Sequence, residues 1–166
     1  MSVLPILTWP DLRLSQRCEP VVHAPGLTGV IADLFETMYA AQGRGLAAPQ
    51  VGILQQFFVM DCGWKEGTPT PKVCINPTIL KSSDETATRP EACLSLPGIS
   101  ADIIRPACIS LQSYDLAGQK QLWQLDGFQA TCAQHEFDHL QGLVTFDRLD
   151  PADRLQLEAR YSAVTA

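Results

Sequence analysis

The stretch QHEFDHLQG, Gln134–Gly142, sets two histidines four positions apart, with a glutamate directly after the first. Successive residues of an α-helix turn by about 100°, so His135 and His139 share one face a single turn apart, and both imidazoles can reach one cation. Glu136 falls beside that face. From there its carboxylate can touch a water on the cation without becoming a ligand, as a general base in metal-assisted hydrolysis must. The bland alternative is a surface helix carrying two ordinary histidines. Against it stands the scarcity of the residue, with only three His in the chain.

Working outward, this helix covers about Phe128 to Leu140 and is closed by Gly142. An earlier helix is expected from Leu27 to Ala41, where Val30, Ile31, Leu34, Phe35, Met38 and Tyr39 recur at helical spacing, with Gly43 and Gly45 as its stop. Between the two helices lie short β-prone runs: ILQQFFVM, KVCINPTIL, DIIRPACISLQSY and QKQLWQL. The last two read as a hairpin turning around Leu116 to Gln119. A short final helix opens at DPAD, where Pro151 suits a first helical position. Strands grouped between helices, with no βαβ alternation, define an α+β fold.

At 166 residues the chain fits a single domain, 1–166, large enough to bury a conventional core. The N-terminus MSVLPILTWPDLRL has neither the basic start nor the apolar run of a secretory signal, and nothing approaches a membrane span. A cytoplasmic protein with no membrane partner is the expectation. Six scattered cysteines, none in a Cys-x-x-Cys pair, read as reduced thiols that mostly fill core space. A formal charge of −6, with twelve Lys and Arg spread thinly, weighs against nucleic acid as a partner. A monomer is expected.

Two imidazoles do not complete a catalytic centre, which takes three protein ligands and leaves a position for water. Cys132 lies on the same helix face but sits about 10.5 Å along the axis from His139 at 1.5 Å per residue, too far for a shared ion. It reads as a core residue one turn below. The third ligand must come from elsewhere, and EACLSLPG, Glu91–Gly98, puts Cys93 in a turn-rich connection that could approach the helix. Taken alone, a cysteine in that setting fills packing space more often than it ligates.

Three segments in order, GRGLAAPQVG (Gly43–Gly52), EACLSLP (Glu91–Pro97) and QHEFDHLQG, resemble the peptide deformylase family, whose patterns are Gly-x-Gly-Leu-Ala-Ala-Pro-Gln, Glu-Gly-Cys-Leu-Ser and Gln-His-Glu-x-x-His. Weaker similarity at ILTWPDLRL (Ile6–Leu14), INP (Ile75–Pro77) and FDRL (Phe146–Leu149) extends it over nearly the whole chain. The resemblance implies a metal-bearing helix surrounded by antiparallel sheets, with N-terminal and C-terminal helices. It implies Cys93, His135 and His139 as ligands of one divalent ion: Fe(II) in cells, with Zn(II), Ni(II) or Co(II) able to occupy the site. The reaction implied is hydrolysis of the formyl group from N-formylated peptides. Glu136 would handle the proton, and the side-chain amide of Gln50 and backbone N–H of Leu94 would bind the oxyanion. Gly43, Arg44, Gly45, Glu91, Ala92, Phe128 and Thr131 are then expected on the substrate side, with Glu91 equally a partner behind one of the ligands, and Arg105 is expected as a substrate or ion-pair residue.

The chain departs from the family at Ala92, where glycine is usual, and at Arg44 and Thr131, where apolar residues are. A positive φ at position 92 would be costly for alanine. Arg44 and Thr131 would make the pocket more polar than one built for formyl-methionine. These departures keep open a paralogue acting on another N-formyl or N-acyl amine, and a catalytically silent metal-binding module is the rival from outside enzymology. The final helix balances Arg148, Arg154 and Arg160 with Asp150, Asp153 and Glu158, which argues against ribosome docking through that tail.

Overall fold

The computed structural model describes residues 2–165. Helix α1 (Thr28–Ala40) leads to strands β1 (Gly45–Ala47), β2 (Phe57–Met60) and β3 (Lys72–Ser82). Strands β4 (Thr86–Cys93), β5 (Leu96–Pro106), β6 (Cys108–Tyr114) and β7 (Lys120–Asp126) precede α2 (Gly127–Leu140) and α3 (Pro151–Thr165). Five strands form one antiparallel sheet in the order β1-β2-β3-β6-β7, and β4 pairs with β5 in a separate two-stranded sheet. Among the described residues no helix is long and apolar enough to cross a membrane.

Helix α1 buries Ile31, Leu34 and Met38, the stripe its spacing predicts. Its end differs from expectation. The left-handed position is Gln42 (φ 57°), whose N–H meets the Tyr39 carbonyl while that of Gly43 meets Met38. Two orphan carbonyls are thereby satisfied in a Schellman turn without glycine at its usual place. Helix α2 ends in the same motif with Gly142 at φ 76°, its N–H on His139 and that of Leu143 on Asp138. There glycine is required twice over, since a Cβ would lie 2.8 Å from the Ser15 carbonyl oxygen.

The run DIIRPACISLQSY proves to be parts of two strands, not one. It breaks at Ala107, so that β5 belongs to the small sheet and β6 to the large one. Strand β4 and the first half of β5 occupy sequence that reads as turns. Cys93 therefore stands at a strand end, paired with Leu96 across a connection of Leu94 and Ser95. The β6–β7 hairpin turns where expected, with the Asp115 carboxylate accepting from the N–H groups of Ala117 and Gln119 at 2.9 and 2.8 Å.

Helix α2 packs against β1, β2, β6 and β7 on one side and β5 on another. Every residue from Ala130 to Gln134 is buried, together with Glu136, Asp138, His139 and Leu140. Burying so many polar groups on one helix requires partners for each. Helix α3, longer than the short helix expected, covers β5 with Leu157 and Tyr161. These two join Leu14, Cys93, Leu96 and Phe146 in a cluster behind the β4–β5 turn, and the Tyr161 hydroxyl donates to the Trp9 carbonyl at 2.9 Å.

Candidate metal centre

The β4–β5 turn carries the buried Cys93 to the α2 histidine face. Its Sγ lies 3.3 Å from Nε2 of His139, and one donor atom from each of Cys93, His135 and His139 falls within 4.8 Å of the others. A soft thiolate with two imidazoles is a donor set suited to zinc or ferrous iron. Burial works against the Cys93 thiolate, but the pull of His139 and His135 outweighs it and holds the thiol well below its ordinary range. The same coupling holds His135 well above its ordinary value against the opposing effect of its burial.

Behind the histidines runs a buried chain of charges. Nδ1 of His135 meets Oε2 of Glu91 at 2.8 Å, which leaves its Nε2 for the cluster. Arg105 donates to both Glu91 oxygens at 2.5 and 3.0 Å and to Asp138 at 2.9 Å. Asp138 also accepts from Nε of Arg148 at 2.8 Å. Of the two roles expected of Arg105, substrate contact and ion pairing, it takes the second: it is 5% exposed and spent on two carboxylates, away from the cavity lining. Glu91 does line the cavity, yet both of its oxygens are committed to Arg105 and His135.

A cavity of about 470 Å³ opens onto the cluster, lined among others by Gly43, Arg44, Gly45, Gln50, Leu94 and Glu136. Glu136 is 4% exposed, and its Oε2 has no hydrogen-bond partner among the described residues. Burial pushes this carboxyl up to about 7 despite the opposing pull of His135 and His139. An orphaned carboxylate oxygen beside three convergent soft donors fits a site for one divalent cation with a titrating base next to it. Gly45 makes room for it: a Cβ there would sit 2.4 Å from Oε1 of Glu136.

Gln50 is held in one orientation. Its Oε1 accepts the Ala47 N–H at 2.9 Å, so the amide nitrogen must face Ser95 Oγ at 3.1 Å and Cys93 Sγ at 3.7 Å. Ser95 is fully buried; its place in EACLSLP, two positions after the cysteine, is the one sequence signal for it. Ala92 and Thr131 also line the cavity. Ala92 is an exposed strand residue, and the only non-glycine residues with positive φ among those described are Gln42 and Asn76. The alanine is therefore unstrained. Thr131 turns its hydroxyl to the Gly127 carbonyl at 3.2 Å, which blunts the polarity expected of it.

Fold and site together define a metal-dependent hydrolase built around a helix-borne His-Glu-x-x-His element and a strand-end cysteine. The chain belongs to the polypeptide deformylase family, whose model matches residues 3–155. It is 42% identical over 156 residues to the peptide deformylase of Brucella suis biovar 1, covering 93% of this chain and 89% of that protein. It is 39% identical over 165 residues to that of Acinetobacter baumannii, covering 99% and 93%. The crystal structure of peptide deformylase from Ehrlichia chaffeensis superposes with a TM-score of 0.90 at 36% identity, covering 99% of this chain and 97% of the other. A structure of the Ehrlichia enzyme in complex with actinonin superposes at 0.89.

Proposed function

We propose that this deformylase hydrolyses the formyl group from formyl-methionyl peptides, with Cys93, His135 and His139 holding one divalent ion in a cytoplasmic enzyme. The observation that carries the assignment is the meeting of these three donors with buried Glu136 and oriented Gln50 in one cavity. Six free cysteines accord with a reducing compartment. Fe(II) is the proposed physiological ion, with Zn(II), Ni(II) or Co(II) able to replace it, on the softness of the donors.

When bound, the ion supplies Lewis acidity, lowering the pKa of a water and polarising the formyl oxygen. The unpartnered Oε2 of buried Glu136 would take up the proton released during hydrolysis and return it to the departing amine nitrogen. The Gln50 amide, unable to flip without losing the Ala47 N–H, donates to the developing oxyanion, as does the backbone N–H of Leu94. Glu91 fixes the His135 ring, and Arg105 fixes Glu91. The edge of β1 opposite β2, kept slim by Gly43 and Gly45, receives the extended peptide backbone.

Metal analysis and formate release on anaerobically prepared protein test the proposal. One ion per chain and turnover of formyl-Met peptides, abolished in Glu136→Ala with the ion retained, is the expected result. A bound ion with no turnover of any formyl peptide would leave the binding module in its place.

A further inference from the structure

Two cationic side chains line the cavity, Arg44 and Lys65. Both are engaged with groups across the gap between the segments around residues 42–44 and 62–66. Arg44 grips Glu66 through two nitrogens at 2.7 and 2.5 Å and also donates to the Cys62 carbonyl. Lys65 donates to the Gln42 carbonyl at 2.5 Å, and Trp64 Nε1 to that of Gly43 at 2.8 Å. The Arg44 guanidinium lies over the Phe128 ring, 5.3 Å from its centroid.

Arg44 and Phe128 line a neighbouring groove as well, together with Cys62, Glu66, Thr68 and Thr70. The two side chains are thus the partition between cavity and groove. Arg44 immediately precedes Gly45, against which Glu136 packs, and Thr131 and Phe128 follow the α2 surface one and two turns back from His135. Arg44, Phe128 and Thr131 all line the cavity, so a substrate side chain lying along this surface would meet them. A free guanidinium on that wall would favour acidic side chains. A guanidinium already neutralised by a carboxylate on two nitrogens would not, because a second anion must displace the first or share its cation.

We infer that Arg44 sets the charge preference for the substrate residue bearing the formyl group, and that Glu66 cancels it, so the cavity selects uncharged side chains only while this pair is closed. The inference rests on the deformylase reading and adds a residue outside the cavity that governs selectivity. Glu66 is more than half exposed and belongs to a class of ion pair that is individually weak, so the discrimination is a modest one that substitution can reverse.

The test is steady-state kinetics on formyl-Met-Ala-Ser and formyl-Glu-Ala-Ser with wild type, Glu66→Gln, Glu66→Ala and the double variant Arg44→Gln/Glu66→Gln. In both single variants the ratio of kcat/KM for formyl-Glu over formyl-Met should rise about tenfold through KM, with formyl-Met turnover within about threefold of wild type, each tenfold being about 1.4 kcal/mol. The gain should shrink in high salt and vanish in the double variant. A ratio within twofold of wild type in both single variants, or an equal rise in the double variant, overturns the inference while the deformylase reading stands. Failure of metal-loaded wild type to process either peptide overturns both.

Discussion

Nδ1 of His135 and Oε2 of Glu91 lie 2.8 Å apart, and the same carboxylate is held from behind by Arg105. The pairing fixes which ring nitrogen faces Cys93. It also makes the imidazole a stronger donor, because a carboxylate partner raises its basicity. Glu91→Gln keeps the shape and removes the charge. The variant should bind its ion about 10- to 100-fold more weakly, as read by competition with a chromophoric chelator. Unchanged affinity would mean that Glu91 serves the fold alone.

Gly45→Ala places a methyl group where Glu136 now sits. Glu136 must move by an ångström or more, and misplacement on that scale costs about 100-fold in rate. The ion should remain, since its three donors lie elsewhere. Formate release alongside metal content separates the two effects, and a fully active Gly45→Ala protein would remove Glu136 from its proposed position.

Arg105→Ala leaves Glu91 and Asp138 buried with one cation fewer. Breaking a buried pair by deleting one partner costs about 3–5 kcal/mol. Urea unfolding should show a loss of that size, against less than about 1 kcal/mol for Arg154→Ala, whose pairs with Asp147 and Glu158 lie near the surface.

Two buried thiols give the protein an alkaline limit. Burial pushes Cys74 up to about 12 and Cys18 up to about 11 from an ordinary 9.0. Above pH 9 the unfolded chain releases protons that the folded chain retains, so unfolding is favoured progressively as pH rises through that window. Below 9 both states hold the proton and the effect is absent. The thermal midpoint should therefore fall from pH 9 towards 12, and less steeply in Cys74→Ala.

The histidine helix is legible because its chemistry has a period: His135, Glu136 and His139 declare both the helix and the face that carries its donors. The two-stranded sheet was not. Pro90, Pro97 and Gly98 are turn residues by habit, and they hid β4 and the first half of β5, whose pairing is set by partners across the hairpin. Arg105 illustrates a second limit. Its choice of Asp138, 33 positions away, depends on how the small sheet meets α2, and no local pattern encodes that. Glu66 gave no signal at all, since an acid in a polar loop becomes meaningful only beside Arg44. Ser95, by contrast, is legible as a polar residue two positions from the cysteine in the EACLSLP motif.

Cys93 and His139 stand 46 positions apart and on different layers of the fold. A cation gripped by both would therefore act as a rivet between the β4–β5 hairpin and the central helix, tying together parts that share no backbone ladder. Withdrawing it with a chelator should quicken amide hydrogen exchange in the hairpin before α1 or the five-stranded sheet responds. The element presenting the thiol would thus be the first to loosen when metal is scarce.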